Sequence, residues 1–203
     1  QTSLKLNKIS EAIESYRIAI KYNELTLIAI DNLVKIFTDR NQLEDAKKVL
    51  DDFLEKNPSN LDVKYRLCRF YSKTAEQEKV ELLIKDILGE KEDYYPIFKI
   101  LALTRTFNKN DPYILLMSNL LKNTQNNEDK VEVLFCLAKA MDDIKDYHQA
   151  AKYLKEANLL HRNSIDFNLE QLITNLGNYK NIFSEEFVSN NKDSGFKNDN
   201  VIF

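Results

Sequence analysis

Ala12, Ala46 and Val80 stand 34 residues apart, and no other feature of the sequence constrains the fold as tightly. Their neighbours return with them. Tyr16, Leu50 and Ile84 follow four residues later, and Ala19, Phe53 and Ile87 three after that. Four-then-three spacing is one face of an α-helix, and a period of this length fits one helix pair per repeat. Ile30, Leu33, Val34 and Phe37 mark an earlier helix of the second unit, and Leu67, Cys68 and Tyr71 do the same in the third. A small side chain such as Ala46 lets two helices approach, while Leu33, Phe37 and Leu50 fill the space around it. A lone helix pair cannot bury its whole apolar face, so consecutive pairs are expected to stack.

The clearest unit covers residues 27–60. Its markers Ile30, Leu33, Val34, Phe37, Ala46, Leu50, Phe53 and Pro58 resemble the tetratricopeptide repeat (TPR). The resemblance implies an all-α fold, a TPR-like α-α superhelix: a right-handed solenoid of antiparallel helix pairs. Val34 and Phe53 are bulkier than the family's usual residues at those places, so this pair should stand further apart than average. Pro58 cannot continue a helix interior, and Ser59 or Asn60 can cap the next helix. Asn41 with Glu44 resembles a capping box.

Four regions follow. Residues 1–94 read as TPR repeats, the first truncated: residues 1–6 as the last turns of one helix and residues 10–22 as its partner. Residues 95–127 read as an irregular helical segment, in which Tyr95-Pro96 and Asp111-Pro112 each open a helix, the second with Pro at its first position. Residues 128–188 read as a TPR-like repeat, marked by Leu134, Leu137, Ala138, Met141, Tyr147, Ala150, Leu154 and Ala157, plus capping helices near residues 166–179 and 184–188. Residues 189–203 read as a polar loop and, at Val201-Ile202-Phe203, the start of a strand.

The second half carries another resemblance. The helix segment 134–143, Asp146-Tyr147-His148, Glu156-Ala157-Asn158, His161-Arg162, Ile182-Phe183, Phe187 and Val201-Ile202-Phe203 stand in an order similar to bacterial proteins in which TPR repeats precede a sulfotransferase domain. That resemblance implies a parent enzyme moving a sulfuryl group from phosphoadenylyl sulfate (PAPS) to an acceptor hydroxyl. In that family a phosphate-cradling loop follows the strand. Phe203 precedes the place of that loop, so no catalytic or cofactor-binding residue carries over, and PAPS belongs to the parent protein. The expected role is an interaction or scaffold region that positions an acceptor or its own downstream catalytic domain. The alternative is a free-standing scaffold that holds a protein or peptide on its concave face.

Composition narrows the function classes. Only three Gly and three Pro argue against a sandwich or barrel, which needs turn residues throughout. A net charge of -3 and the lack of a polybasic run give no footprint for nucleic acid or a membrane surface. No run of about 18 apolar residues suggests a transmembrane helix. Cys68 and Cys136 have neither metal-ligand spacing nor a disulfide framework, which fits a reducing cytoplasm and buried thiols. His148, His161 and the acidic run Asp142-Asp143 with Asp146 lack the spacing of a metal site. Tyr94, Tyr95 and Tyr147 read as packing residues.

By resemblance, one face of each repeat's first helix lines the concave side. In the second repeat that face holds Ile28, Asp31, Asn32, Lys35, Thr38 and Asp39. In the third it holds Asp62, Tyr65, Arg66, Arg69, Ser72 and Lys73. Of these, Asn32, Lys35, Tyr65, Arg66, Arg69 and Lys73 form the candidate peptide-binding set, a basic and partly aromatic groove for an acidic peptide or carboxylate terminus. Asp31 stands where the peptide-carboxylate clamp of some family members has a Lys. The competing reading of these residues is a solvated charged face.

Overall fold

The computed structural model describes residues 2–22, 26–165 and 168–192. Among these residues it is all-helical, with eleven helices and no strand. In chain order they are α1 Thr2–Lys21, α2 Thr26–Asp39, α3 Leu43–Lys56, α4 Leu61–Lys73, α5 Gln77–Glu90, α6 Ile97–Thr104, α7 Pro112–Asn123, α8 Asn127–Asp143, α9 Tyr147–Ser164, α10 Leu169–Ile182 and α11 Glu185–Asn190. The chain divides into two compact units, Gln1–Arg162 and Asn163–Phe203.

In the first unit consecutive helices pack on one another from α1 to α6 and again at α7 and α8, and every second helix from α2 to α8 meets the next. α2 lies between α1 and α3 and also meets α4; α4 packs on α3, α5 and α6; α8 packs on α6 and α7. The repeating apolar residues drive this arrangement. Ile30, Leu33, Ala46, Leu50, Val63, Cys68, Val80, Ile84 and Ile87 are all buried in one core. Ala46 sits at the crossing with no exposure, so a larger side chain there would push the helices apart. That core continues through Ile97, Phe98 and Leu101 of α6 to Val133, Cys136 and Leu137 of α8.

The links inside three helix pairs are built alike. Gln42 N donates to Phe37 O at 2.8 Å, Glu76 N to Tyr71 O at 3.0 Å and Asp146 N to Met141 O at 2.9 Å. Just before each donor a residue adopts a left-handed backbone: Asn41 at φ 57, Ala75 at φ 60 and Lys145 at φ 66. This is the Schellman closure, which satisfies the last carbonyls of the first helix and reverses the chain. Asn41 and Ala75 are one sequence period apart.

Several expectations change. Residues 2–21 form one continuous helix, not two, because no helix-breaking residue separates Leu6 from Ser10. Asn41 does not open α3 with a capping box. It closes α2 in the left-handed conformation, and Gln42 takes the N-cap position without a side-chain capping bond. Asn60 does cap α4, accepting from Val63 N at 3.0 Å. Asp111 caps α7, accepting from Tyr113 N at 3.1 Å, with Pro112 in the first turn.

The irregular region belongs to the same core. α6 has only eight residues, and an extended link carries the chain from Arg105 to Asp111. That link is pinned from both sides. Arg105 Nε donates to the buried Asp111 carboxylate at 2.6 Å. Lys139 of α8 donates to Arg105 O at 2.8 Å, and Phe107 N donates to Asp143 at 2.8 Å while its ring is buried.

In the second unit, Asn168 caps α10 through Gln171 N and Ser184 caps α11 through Phe187 N. The rings of Phe183 and Phe187 meet edge to face at 5.5 Å. The expected strand at Val201-Ile202-Phe203 and most of the polar loop lie outside the described residues.

Candidate functional site

α2 and α4 run side by side and frame a cavity of about 550 Å³. Five of the six candidate residues line it: Asn32 and Lys35 from α2, and Arg66, Arg69 and Lys73 from α4. Tyr65 does not. Its ring packs against Tyr94 at 6.1 Å, on the α4 face one residue away from Arg66. Adjacent residues on a helix point about 100° apart, so Tyr65 and Arg66 cannot share one wall.

The four cations are not equivalent. Arg66 is committed: its Nε and Nη2 donate to the two carboxylate oxygens of Asp31 at 2.9 and 2.7 Å, and its Nη1 donates to Asp62 O at 3.0 Å. This two-pronged bond joins α2 to α4 and sets the width of the groove. Sequence reasoning named both residues but not their pairing; the signal was an Arg and an Asp one period plus one residue apart. Lys35, Arg69 and Lys73 form no ion pair among the described residues and are exposed. Against them stands Asp39, so the groove carries an excess of free positive charge. Thr38, Thr74, Val34, Leu43 and Phe70 complete the lining, and the last three give it apolar surface that basic-residue reasoning overlooked. Asn32 donates its amide to Ile28 O, and Thr38 its hydroxyl to Val34 O, leaving an oxygen on each side chain able to accept.

A second polar system backs this wall. Tyr94 donates to Asp62 Oδ1 at 2.8 Å, and burial together with that bond pushes the phenol above its ordinary value. Lys64, almost fully buried, bridges α4 to Asp86 and Glu90 of α5. Desolvation disfavours its charge, but the two carboxylates outweigh that and hold the ammonium above its ordinary value.

The remaining candidates fall into structural roles. Cys68 and Cys136 are buried and far from thiolate reactivity: burial pushes the Cys68 thiol up to about 12 and raises that of Cys136 as well. Asp143 accepts from Phe107 N, and Asp146 from Gln149 N. The His161 ring packs edge-on against Phe135. Among the described residues no group of three or more His, Cys, Asp or Glu is placed to hold a metal, and no helix is long and apolar enough to cross a membrane. No protein-family model matches the chain, and no curated protein matches it significantly.

Proposed function

We propose that this chain is a tetratricopeptide-type interaction region whose groove between α2 and α4 takes an acidic peptide segment. The fold reading is supported by the Schellman closures at Asn41, Ala75 and Lys145, the first two separated by the same 34 residues as Ala46 and Val80. The functional reading is carried by one observation: Lys35, Arg69 and Lys73 line a single cavity, and none of them forms an ion pair among the described residues. Exposed charges that pair with nothing inside the molecule keep their full capacity to bind a ligand, and the apolar patches of Val34, Leu43 and Phe70 favour a peptide over a small anion.

Fluorescence anisotropy with a labelled peptide of alternating Glu and Leu tests this. The triple variant Lys35→Ala, Arg69→Ala, Lys73→Ala should weaken binding at least tenfold, which corresponds to about 1.4 kcal/mol or more. Binding should also weaken as salt rises. Unchanged affinity in the triple variant rules the groove out. Arg66→Ala should act differently, lowering thermal stability as well, because it strands Asp31.

A second reading has its own supporting observation. In α10, Leu169, Leu172, Ile173 and Leu176 lie on one face and are all exposed, and Phe183 and Phe187, which follow in the chain, are exposed as well. Such a stripe suits a segment that leads into a further folded domain. On this reading the chain is the accessory region of a PAPS-dependent sulfotransferase. A gene product with no Arg/Ser/Gly/Thr phosphate loop shortly after Phe203, or one that fails to bind PAPS in a calorimetric titration, ends that proposal.

A further inference from the structure

A different groove lies on the other side of α2, where α1 and α3 flank it. Its volume is about 540 Å³. Its base is apolar: Ile20 from α1 and Val49 and Phe53 from α3 are half-buried, with Leu33 and Phe37 of α2 beneath them. Phe53 occupies the place where the repeat pattern calls for a small residue, so its ring becomes floor where a small side chain would let the helices close up.

The rim is cationic. Arg17 and Lys21 stand one turn apart on α1, and Lys48 and Lys56 two turns apart on α3. Asp45 and Asp52 also line the groove. On α3 these charges have the spacing for intrahelical pairs: Asp45 with Lys48, Lys48 with Asp52, and Asp52 with Lys56. None of those pairs forms, whereas Lys47 and Asp51 of the same helix do pair. Four cations against two anions, none of them in an ion pair among the described residues, border an apolar floor in a chain whose net charge is -3.

We infer that this groove binds the apolar face of an acidic amphipathic helix from a partner protein. Charge complementarity selects the ligand. Lys48 and Lys56 lie about 12 Å apart along the α3 axis, at 1.5 Å per residue. One carboxylate cannot reach both. A helix with two acidic residues eight positions apart presents the same spacing, and its apolar stripe meets Ile20, Val49 and Phe53. The groove is distinct from the one between α2 and α4 and does not depend on it.

The test uses a fluorescein-labelled 14-residue peptide with one Leu/Phe face and Glu at positions eight apart, followed by anisotropy on the whole chain. Saturable binding is expected. It should fall at least tenfold in Lys48→Glu/Lys56→Glu and, from the opposite rim, in Arg17→Glu. It should be unchanged in Lys152→Glu/Lys155→Glu, which lie in neither groove, while Arg69→Glu/Lys73→Glu reads any share of the peptide taken by the other groove. All of these side chains are exposed, so the variants should keep the parent's helical circular dichroism; any that does not is replaced by its Lys→Gln or Arg→Gln counterpart. Three outcomes overturn the inference: equal binding of a scrambled peptide of the same composition, loss of binding only in the Arg69/Lys73 variant, and stoichiometric displacement of the peptide by dodecanoate.

Discussion

Three residues carry a backbone conformation that two of them tolerate poorly. Asn41, Ala75 and Lys145 all have positive φ, and none is Gly. An L-residue other than Gly or Asn loses roughly 1–2 kcal/mol there, because its Cβ crowds the neighbouring carbonyl. Gly removes that strain but gives up about 0.5–1 kcal/mol in unfolded-chain entropy. The balance favours Gly, so Ala75→Gly and Lys145→Gly should each stabilise the protein by about 0.5–1 kcal/mol. Asn41→Gly should change little, since Asn already visits this region readily. Gly89 presents the converse. It sits inside α5, and a Cβ there would meet nothing within 4 Å. Gly89→Ala should therefore add about 0.5–1 kcal/mol. Urea denaturation midpoints read all four changes; a destabilised Ala75→Gly would show that the turn is held by its side chains and not by its backbone.

Among the elements, the α6–α7 connection departs most from the repeat, and one carboxylate holds it. Asp111 is buried, caps α7 and anchors Arg105, whose backbone carbonyl in turn receives Lys139 of α8. Asp111→Ala removes the cap, worth about 1 kcal/mol, and leaves Arg105 only the looser pair with Glu81 at 4.0 Å. Breaking a fully buried pair costs about 3–5 kcal/mol, but Arg105 keeps 27% of its side chain in water. A total loss of about 2–4 kcal/mol is expected. Asp111→Asn keeps an accepting oxygen for Tyr113 N and should lose less. Equal losses for the two variants in chemical denaturation would place the whole effect in the ion pair.

Helix pairing was legible because it is written in apolar periodicity, which the core reads out directly: Leu33, Ala46, Leu50 and Val80 are buried where the period puts them. The cap at Asp111 was legible because a carboxylate before Pro has one good conformational use. The role of Asn41 was not, because Asn suits an N-cap and a left-handed closure equally well. The left-handed φ of Asn41 and the bond from Gln42 N to Phe37 O distinguish them. The candidate groove was legible in five residues of six. Its inner division was hidden, since pairing of Arg66 with Asp31 depends on how α2 and α4 meet, and sequence spacing does not give that contact.

Across the whole molecule, five buried or half-buried titratable groups lean one way. Burial raises the thiol of Cys68 from 9.0 to about 12, and it raises Cys136, Tyr94 and Tyr113 too. Lys64 is also raised, by carboxylates that overcome its desolvation. Each of these groups holds its proton more tightly in the folded chain than in the unfolded one. The stability they contribute is complete below their unfolded values and disappears as pH climbs through the folded ones. The thiols act first, because unfolded Cys begins to ionise near 9.0. On the acid side, Glu132 and Asp129 are themselves raised by burial, and Glu76, which is lowered, is solvent-exposed. The free energy of unfolding should thus be level through neutral pH and decline steadily from pH 9 toward 12. Substituting both thiols, Cys68→Ala and Cys136→Ala, should lower stability at pH 7 by opening small cavities yet flatten the decline between pH 9 and 10, where Tyr94 and Lys64 have barely begun to contribute. Denaturant titrations of both proteins at pH 7, 9, 10 and 11 separate the two effects. Parallel profiles for parent and double variant would mean that the buried thiols do not govern the alkaline transition, and that the buried phenols and the Lys64 bridge between α4 and α5 do.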